Sequence, residues 1–321
     1  MARAGDYKIG LALGGGAARG WAHIGVIKAL AEAGIVPDVV AGTSIGAVVG
    51  GCYVIDRLDV LEQFALSLTR RKVLGFLDFN LAGTGLISGQ RLCDLLGSHL
   101  GELRIEDLPK PFTAVATEIG SGHEVWLSRG SLVDAMRASY ALPGIFRPVR
   151  IKGRWLFDGA LVNPVPVSVC RALGARYVIA VNLNSDMCAR GTVLPDITAY
   201  EGEDDKPAAE PVKGKNGVAV RALLHRQLFG GGDNTPGIST VVVDALNIVQ
   251  DRIARSRLAG DPPDAIINPR LAGIGPFDFH RAGDLIELGK AAVRREIEDL
   301  ADQLMVRGRL EPAPASEKSI A

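Results

Sequence analysis

Apolar positions recur along this chain with two different periods, and the alternation between them predicts a layered α/β fold. Residues 9–13 form an apolar run of strand length that breaks at Gly14-Gly15-Gly16. Ala22, Val26, Leu30 and Ala33 then recur at helical spacing up to Gly34, a residue suited to a helix C-terminal cap. A second apolar run over 36–40 leads through Ala41-Gly42-Thr43-Ser44-Ile45-Gly46 into the small residues 47–51. Strand, helix, strand, helix in that order implies a parallel pair. Helical spacing returns over 58–69 and 88–100, on either side of a glycine-rich loop at 80–89. Residues 112–119 and 123–127 read as strands around Gly120-Ser121-Gly122, a hairpin that makes the sheet mixed. A helix over 131–139 is stopped by Pro143 and Pro148, and a short strand over 154–157 runs into Asp158-Gly159-Ala160. A helix at 165–173 and a buried strand at 177–183 complete the core repeat. Beyond them come a helix at 239–258, a strand at 265–267 and an amphipathic helix at 280–306.

The periodicity fails in one long stretch. Residues 184–238 carry an acidic run at 201–205, scattered prolines, Lys213, Lys215 and Gly230-Gly231-Gly232. Their one amphipathic fragment lies at 218–229. This composition predicts an insertion, partly disordered or lid-like. The expected organisation is a core of residues 8–183, the insertion, C-terminal helices at 239–306 that complete the same domain, and a loose tail at 307–321.

Composition narrows the class. The chain is 47% hydrophobic with 39 glycines and few aromatics, so small and branched aliphatic side chains must fill the core, as suits a sheet covered by helices on both faces. With 36 basic and 36 acidic residues the net charge is zero, which argues against nucleic acid as a partner and leaves any contact with a membrane surface local and transient. Cys52, Cys93, Cys170 and Cys188 show no metal or CxxC spacing and read as reduced thiols. The first residues have no signal-peptide core and no apolar run reaches the length of about 18 residues of a spanning helix, so a soluble, cytoplasmic protein is expected. Oligomeric state leaves no signal in the pattern.

The candidate chemistry centres on Ser44. A serine between Gly42 and Gly46, entered from a strand and left through a helix, suits a tight elbow that exposes its hydroxyl, although a plain Ser/Thr helix cap has the same appearance. Gly14, Gly15 and Gly16, one strand upstream, put backbone N–H groups at a helix N-terminus, where a phosphate or a developing oxyanion is favoured. The dinucleotide reading fails because Gly14, Gly16 and Gly20 are spaced one residue too far. The acid it needs at the end of the next strand is replaced by Gly42-Thr43-Ser44. An oxyanion hole beside a nucleophile accounts for both loops, since parallel neighbours bring their carboxyl ends together. The base is either a histidine in a Ser-His-Asp triad or an acid acting on the serine directly. His23, His99 and His123 read as structural, and only His225 and His280 follow Asp158 in the order of an α/β-hydrolase triad. That fold places several strands before its elbow, whereas Ser44 follows one, so Asp158 is the stronger candidate.

The glycine loop with Arg19, the Gly42-Thr43-Ser44-Ile45-Gly46 elbow and Asp158-Gly159-Ala160 together resemble the patatin-like phospholipase family. Residues 138–148 and Asn163-Pro164-Val165-Pro166 extend the likeness, which covers about 8–183; Gly260-Asp261-Pro262-Pro263-Asp264 and residues 279–282 are similar to the compact bacterial branch related to neuropathy target esterase. The resemblance implies a three-layer α/β/α fold with a central, mostly parallel sheet and cleavage of acyl esters in lipids such as lysophospholipids and phospholipids. It implies a Ser44–Asp158 dyad and an oxyanion hole from Gly14, Gly15 and Gly16 with Arg19 beside them. No metal or other cofactor is implied. The family's commonest loop is one residue shorter between its glycines and its arginine. A Ser-His-Asp esterase and a non-catalytic acyl-binding or regulatory protein of the same fold are the alternatives.

Overall fold

A computed structural model describes residues 7–76, 102–186 and 238–310. The loop at 80–89, the helix expected at 88–100, most of the 184–238 insertion and the tail from 311 lie outside the described residues.

The chain runs β1 (Ile9–Leu13), a 3-10 turn (Ala17–Trp21), α1 (Ala22–Glu32), β2 (Val39–Thr43), α2 (Ile45–Val54), α3 (Leu58–Leu66) and α4 (Arg70–Phe76). There follow β3 (Phe112–Glu118), β4 (Glu124–Leu127), α5 (Leu132–Ser139), β5 (Val149–Ile151), β6 (Arg154–Asp158), α6 (Val167–Ala172) and β7 (Tyr177–Val181). The last elements are α7 (Ile238–Gly260), β8 (Ala265–Ile267) and α8 (Ala282–Val306). The strands form one mixed sheet in the order β5-β6-β3-β2-β1-β7-β8, with β4 also paired to β3. β3, β2, β1, β7 and β8 are mutually parallel, and β4, β6 and β5 add antiparallel pairs.

Strand alternation assigns the two faces. Leu11, Leu13, Tyr177, Ile179 and Val181 enter the larger core with residues of α1, α2 and α8. Ala12, Ala41, Val178 and Ala180, on the opposite face, pack with Val167, Val169 and Cys170 of α6 and Ala254 of α7. Both faces are therefore buried, which is why β1, β2 and β7 read as unbroken apolar runs rather than alternating ones. α1 and α8 make the most intimate helix pair: a Cβ at Gly25 would overlap the Ile286 carbonyl, and one at Gly289 would overlap that of Ala22. Among the described residues no helix is long and apolar enough to cross a membrane.

Most expected elements are present, and two were not anticipated. β5 pairs with β6 across Lys152 (φ 47°) and Gly153 (φ 84°), a two-residue turn whose left-handed residues match strand twist. α4 is the other. α6 begins two residues later than its apolar pattern, because Pro164 and Pro166 hold the preceding chain out of helical geometry.

Candidate active site

Two strand ends meet on β3. Thr43, the last residue of β2, stands opposite Val115, and Asp158, the last residue of β6, stands opposite Ala116. Consecutive positions on one strand thus bring Ser44 and Asp158 together from 114 residues apart, with Ser44 Oγ donating to Asp158 Oδ2 at 2.6 Å.

The elbow is strained. Ser44 has φ 57° and ψ −127°, a conformation that L residues rarely adopt, immediately before α2. Gly42 and Gly46 permit it: a Cβ on Gly42 would overlap the Gly46 carbonyl, and one on Gly46 would overlap that of Leu13. The Ser44 N–H donates to Ser139 Oγ at 2.9 Å, and the Ser139 hydroxyl donates to Val115 O at 2.6 Å. Thr43 Oγ1 donates to Asn163 O at 2.8 Å. Ser139 was not assigned a role from sequence; its only signal is a hydroxyl on the buried face of an amphipathic helix.

Asp158 is held from all sides. Its N–H donates to Ala141 O at 3.0 Å, its carbonyl accepts from Thr117 Oγ1 at 2.8 Å, and its Oδ1 accepts the Ala160 N–H at 2.8 Å. The side chain is fully buried. Burial pushes its pKa up to about 7, against the opposing pull of hydrogen bonds from Ser44 and Ala160. A carboxyl poised near neutrality can both take and return a proton.

The structure divides the four residues expected at the oxyanion hole. The Gly14 N–H donates to Val181 O at 3.1 Å and the Gly15 N–H to Pro164 O at 3.0 Å, so both are committed within the fold. Gly16 and Ala17 line the cavity that holds Ser44 and Asp158, and their N–H groups meet no acceptor among the described residues. Ala17, like Ser44, has a positive φ, 50°. Arg19 is 1% exposed and does not line the cavity. Its Nε donates to Ile274 O at 3.0 Å and its Nη1 to Asn184 Oδ1 at 3.1 Å, while Asn184 Nδ2 donates to Gly15 O at 3.3 Å. Arg19 thereby ties the glycine loop to the chain before α8. Its burial lowers its pKa, a loss countered by Asp186, Asp244 and Asp278.

None of the described histidines lines the cavity. His23 is fully buried behind the loop, with Nε2 against Gly14 O at 2.8 Å, and desolvation pushes its pKa down to about 4, so it is neutral at pH 7. His280 accepts from Arg70 Nε at 3.1 Å, His123 is exposed beside Glu118, and His99 and His225 lie outside the described residues. Among the described residues no group of three or more His, Cys, Asp or Glu side chains is placed to hold a metal ion.

Above the dyad the walls are apolar: Ile45, Val48, Phe64, Leu142, Ile145 and Phe277 are among them, brought in from α2, α3 and the segments around α5 and before α8. A low-dielectric space of this kind strengthens every hydrogen bond made at its polar end.

A family model described as patatin-like phospholipase matches residues 11–171. An uncharacterized NTE family protein of Mycobacterium tuberculosis strain H37Rv is 34% identical, with 91% of each chain covered. Neuropathy target esterase sws of Drosophila melanogaster is 37% identical over 55% of this chain and 13% of its own length. Lysophospholipase nte1 of Emericella nidulans is 35% identical over 55% and 12% respectively.

Proposed function

Because the chain belongs to the patatin-like phospholipase family, among NTE family proteins, we propose that it is a serine acyl hydrolase that cleaves carboxylic ester bonds of lipids, with Ser44 as nucleophile and Asp158 as general base. The observation that carries this reading is the 2.6 Å hydrogen bond from Ser44 Oγ to a buried carboxylate, at a strained elbow that opens on an apolar cavity. The apolar walls suit an acyl chain. The longer relatives, an esterase and a lysophospholipase by name, support lysophospholipids, phospholipids or related acyl esters as the substrate class. A cytoplasmic protein that touches a membrane surface transiently to collect such substrates fits this reading.

In the first step Ser44 Oγ bonds to the ester carbonyl carbon as its proton passes to Asp158 Oδ2, and the carbonyl oxygen takes the negative charge. We assign that oxyanion to the N–H groups of Gly16 and Ala17, a reading supported by their place on the cavity wall and the absence of an acceptor for either among the described residues, each worth about 3 kcal/mol by analogy with other oxyanion holes. Gly14, Gly15 and Arg19 then serve by fixing the loop, through their bonds to Val181, Pro164, Ile274 and Asn184. Collapse breaks the bond to the alcohol oxygen, which takes the proton back from Asp158. A water, deprotonated by the same carboxylate, next attacks the acyl-serine and releases the fatty acid as Ser44 recovers its proton.

A panel of lysophospholipids, phospholipids and acylglycerols, turned over by wild type and Ser44→Ala side by side, tests the proposal. The variant is expected to lose at least about a thousandfold on every substrate the wild type cleaves. Turnover that survives in it overturns the assignment.

A further inference from the structure

The cavity over Ser44 has a second polar station, carried by α7. Leu246, Asn247 and Gln250 are the α7 residues on its wall. Asn247 and Gln250 are three positions apart, so one helix face presents both carboxamides. Asn247 Nδ2 is fully buried and donates to no acceptor among the described residues. Gln250 is 5% exposed and its side chain makes no hydrogen bond among the described residues.

An amide nitrogen left unpaired in a largely apolar wall destabilises the fold, and Leu or Met in place of these carboxamides would fill the space without that loss. Their presence is therefore explained by a ligand rather than by packing. The chemistry of that ligand group follows from the lining. A carboxamide offers a donor and an acceptor without charge, and among the described residues no Lys, Arg or His lines the cavity, so the matching group is a neutral oxygen and not a phosphate. The scissile carbonyl already has the N–H groups of Gly16 and Ala17, on the wall of the same cavity, as its donors in the proposed reaction, which leaves the α7 carboxamides for another oxygen.

We propose that Asn247 and Gln250 are specificity-determining residues that hydrogen-bond a second neutral oxygen of the bound ester, either a free hydroxyl or a non-scissile ester carbonyl on its alcohol side. This rests on the acyl hydrolase reading and adds a selection rule to it: esters of a polyol are preferred over esters of a plain alcohol with the same acyl chain.

The test compares kcat/KM for monooleoylglycerol, dioleoylglycerol and ethyl oleate in the same detergent micelles, for wild type, Asn247→Leu, Gln250→Leu and Ser44→Ala. The two leucine variants are expected to lose about 10- to 100-fold on a glycerol ester, to stay within about twofold of wild type on ethyl oleate, and to melt no lower than wild type. Loss on monooleoylglycerol, with or without loss on dioleoylglycerol, identifies the hydroxyl, and loss on dioleoylglycerol alone identifies the carbonyl. Equal losses on ethyl oleate and the glycerol esters, or no loss on any of them, overturn the proposal. Gln250→Met, nearly the length of glutamine, gives the same reading where a leucine variant does not fold. Activity retained by Ser44→Ala overturns the acyl hydrolase reading instead, so the two failures are distinguishable.

Discussion

Two regions of this molecule lack room for a single methyl group, and they lack it for opposite reasons. At the crossing of α1 and α8, Gly25 and Gly289 let two regular helices touch backbone to backbone, which adds dispersion contact with no distortion of either chain. At the elbow, Gly42 and Gly46 make space for a serine held at φ 57° beside a carboxylate that burial disfavours. The first region gains stability from its closeness, whereas the second gives stability up to hold a strained serine against a buried carboxyl group. Closeness alone therefore does not mark a site. A strained, non-glycine residue against a buried ionisable group does.

The largest expected effect that sharpens this contrast is at Asp158. Its pKa is raised from 3.8 to about 7 in the folded chain, so between these values the unfolded chain gives up a proton that the native chain keeps. Stability is therefore lost as pH rises from about 4 to about 7, by up to about 4 kcal/mol, and the loss is complete above 7. Asp158→Asn removes this dependence. Urea unfolding at pH 4.5 and pH 8 should show the variant gaining on wild type by several kcal/mol between the two, while its hydrolytic rate at pH 8 falls about a thousandfold. Parallel pH dependences of wild type and variant would remove Asp158 as the site of stored cost. With Asp158 as the proposed general base, wild-type kcat/KM should fall about tenfold per pH unit below about 7 and level off above it.

The helix crossing predicts the converse. Gly25→Ala drives a Cβ into the Ile286 carbonyl and should cost about 3 kcal/mol, read as a lower urea midpoint with unchanged slope. Activity per folded molecule should stay at the wild-type level, because neither helix contributes a residue to the cavity walls. A selective fall in kcat would mean that the crossing positions the glycine loop as well as stabilising the fold.

The same contrast explains what was legible in the sequence. The central strands β1, β2 and β7 and the helices α1, α5 and α8 announce themselves because each buries a continuous face with a regular period. β5 did not, because three residues after Pro148 carry no period and the left-handed turn at Lys152-Gly153 lacks the usual Asn-Gly or Asp-Gly signal. Ser44 and the glycine loop stand out through backbone demands that few residues meet. Asp158 looks like an ordinary Asp-Gly turn until the register on β3 places it one position from the elbow. Arg19, a cation near a helix start, reads as a surface or site residue, yet the fold buries it as a brace between loops. Asn247 and Gln250 were illegible because a polar residue on an amphipathic helix looks solvent-facing; only the cavity reveals the face on which they lie.

The smallest expected effect lies between the two regions, at Ser139. This residue belongs to α5, a regular helix, yet its hydroxyl supports the strained elbow by accepting the Ser44 N–H and donating to Val115 O. Ser139→Ala leaves one donor and one acceptor dry in a fully buried position, which should cost about 1–3 kcal/mol of stability. If the hydrogen bond also holds Ser44 in its left-handed conformation, kcat should fall by about tenfold with KM nearly unchanged, since Ser139 is not among the apolar walls proposed to take the acyl chain. Ser139→Cys, which restores a weak donor and acceptor at similar size, should recover part of both losses. A variant that is destabilised but keeps full kcat would show that the elbow's strain is held by Gly42, Gly46 and the sheet register without this hydroxyl.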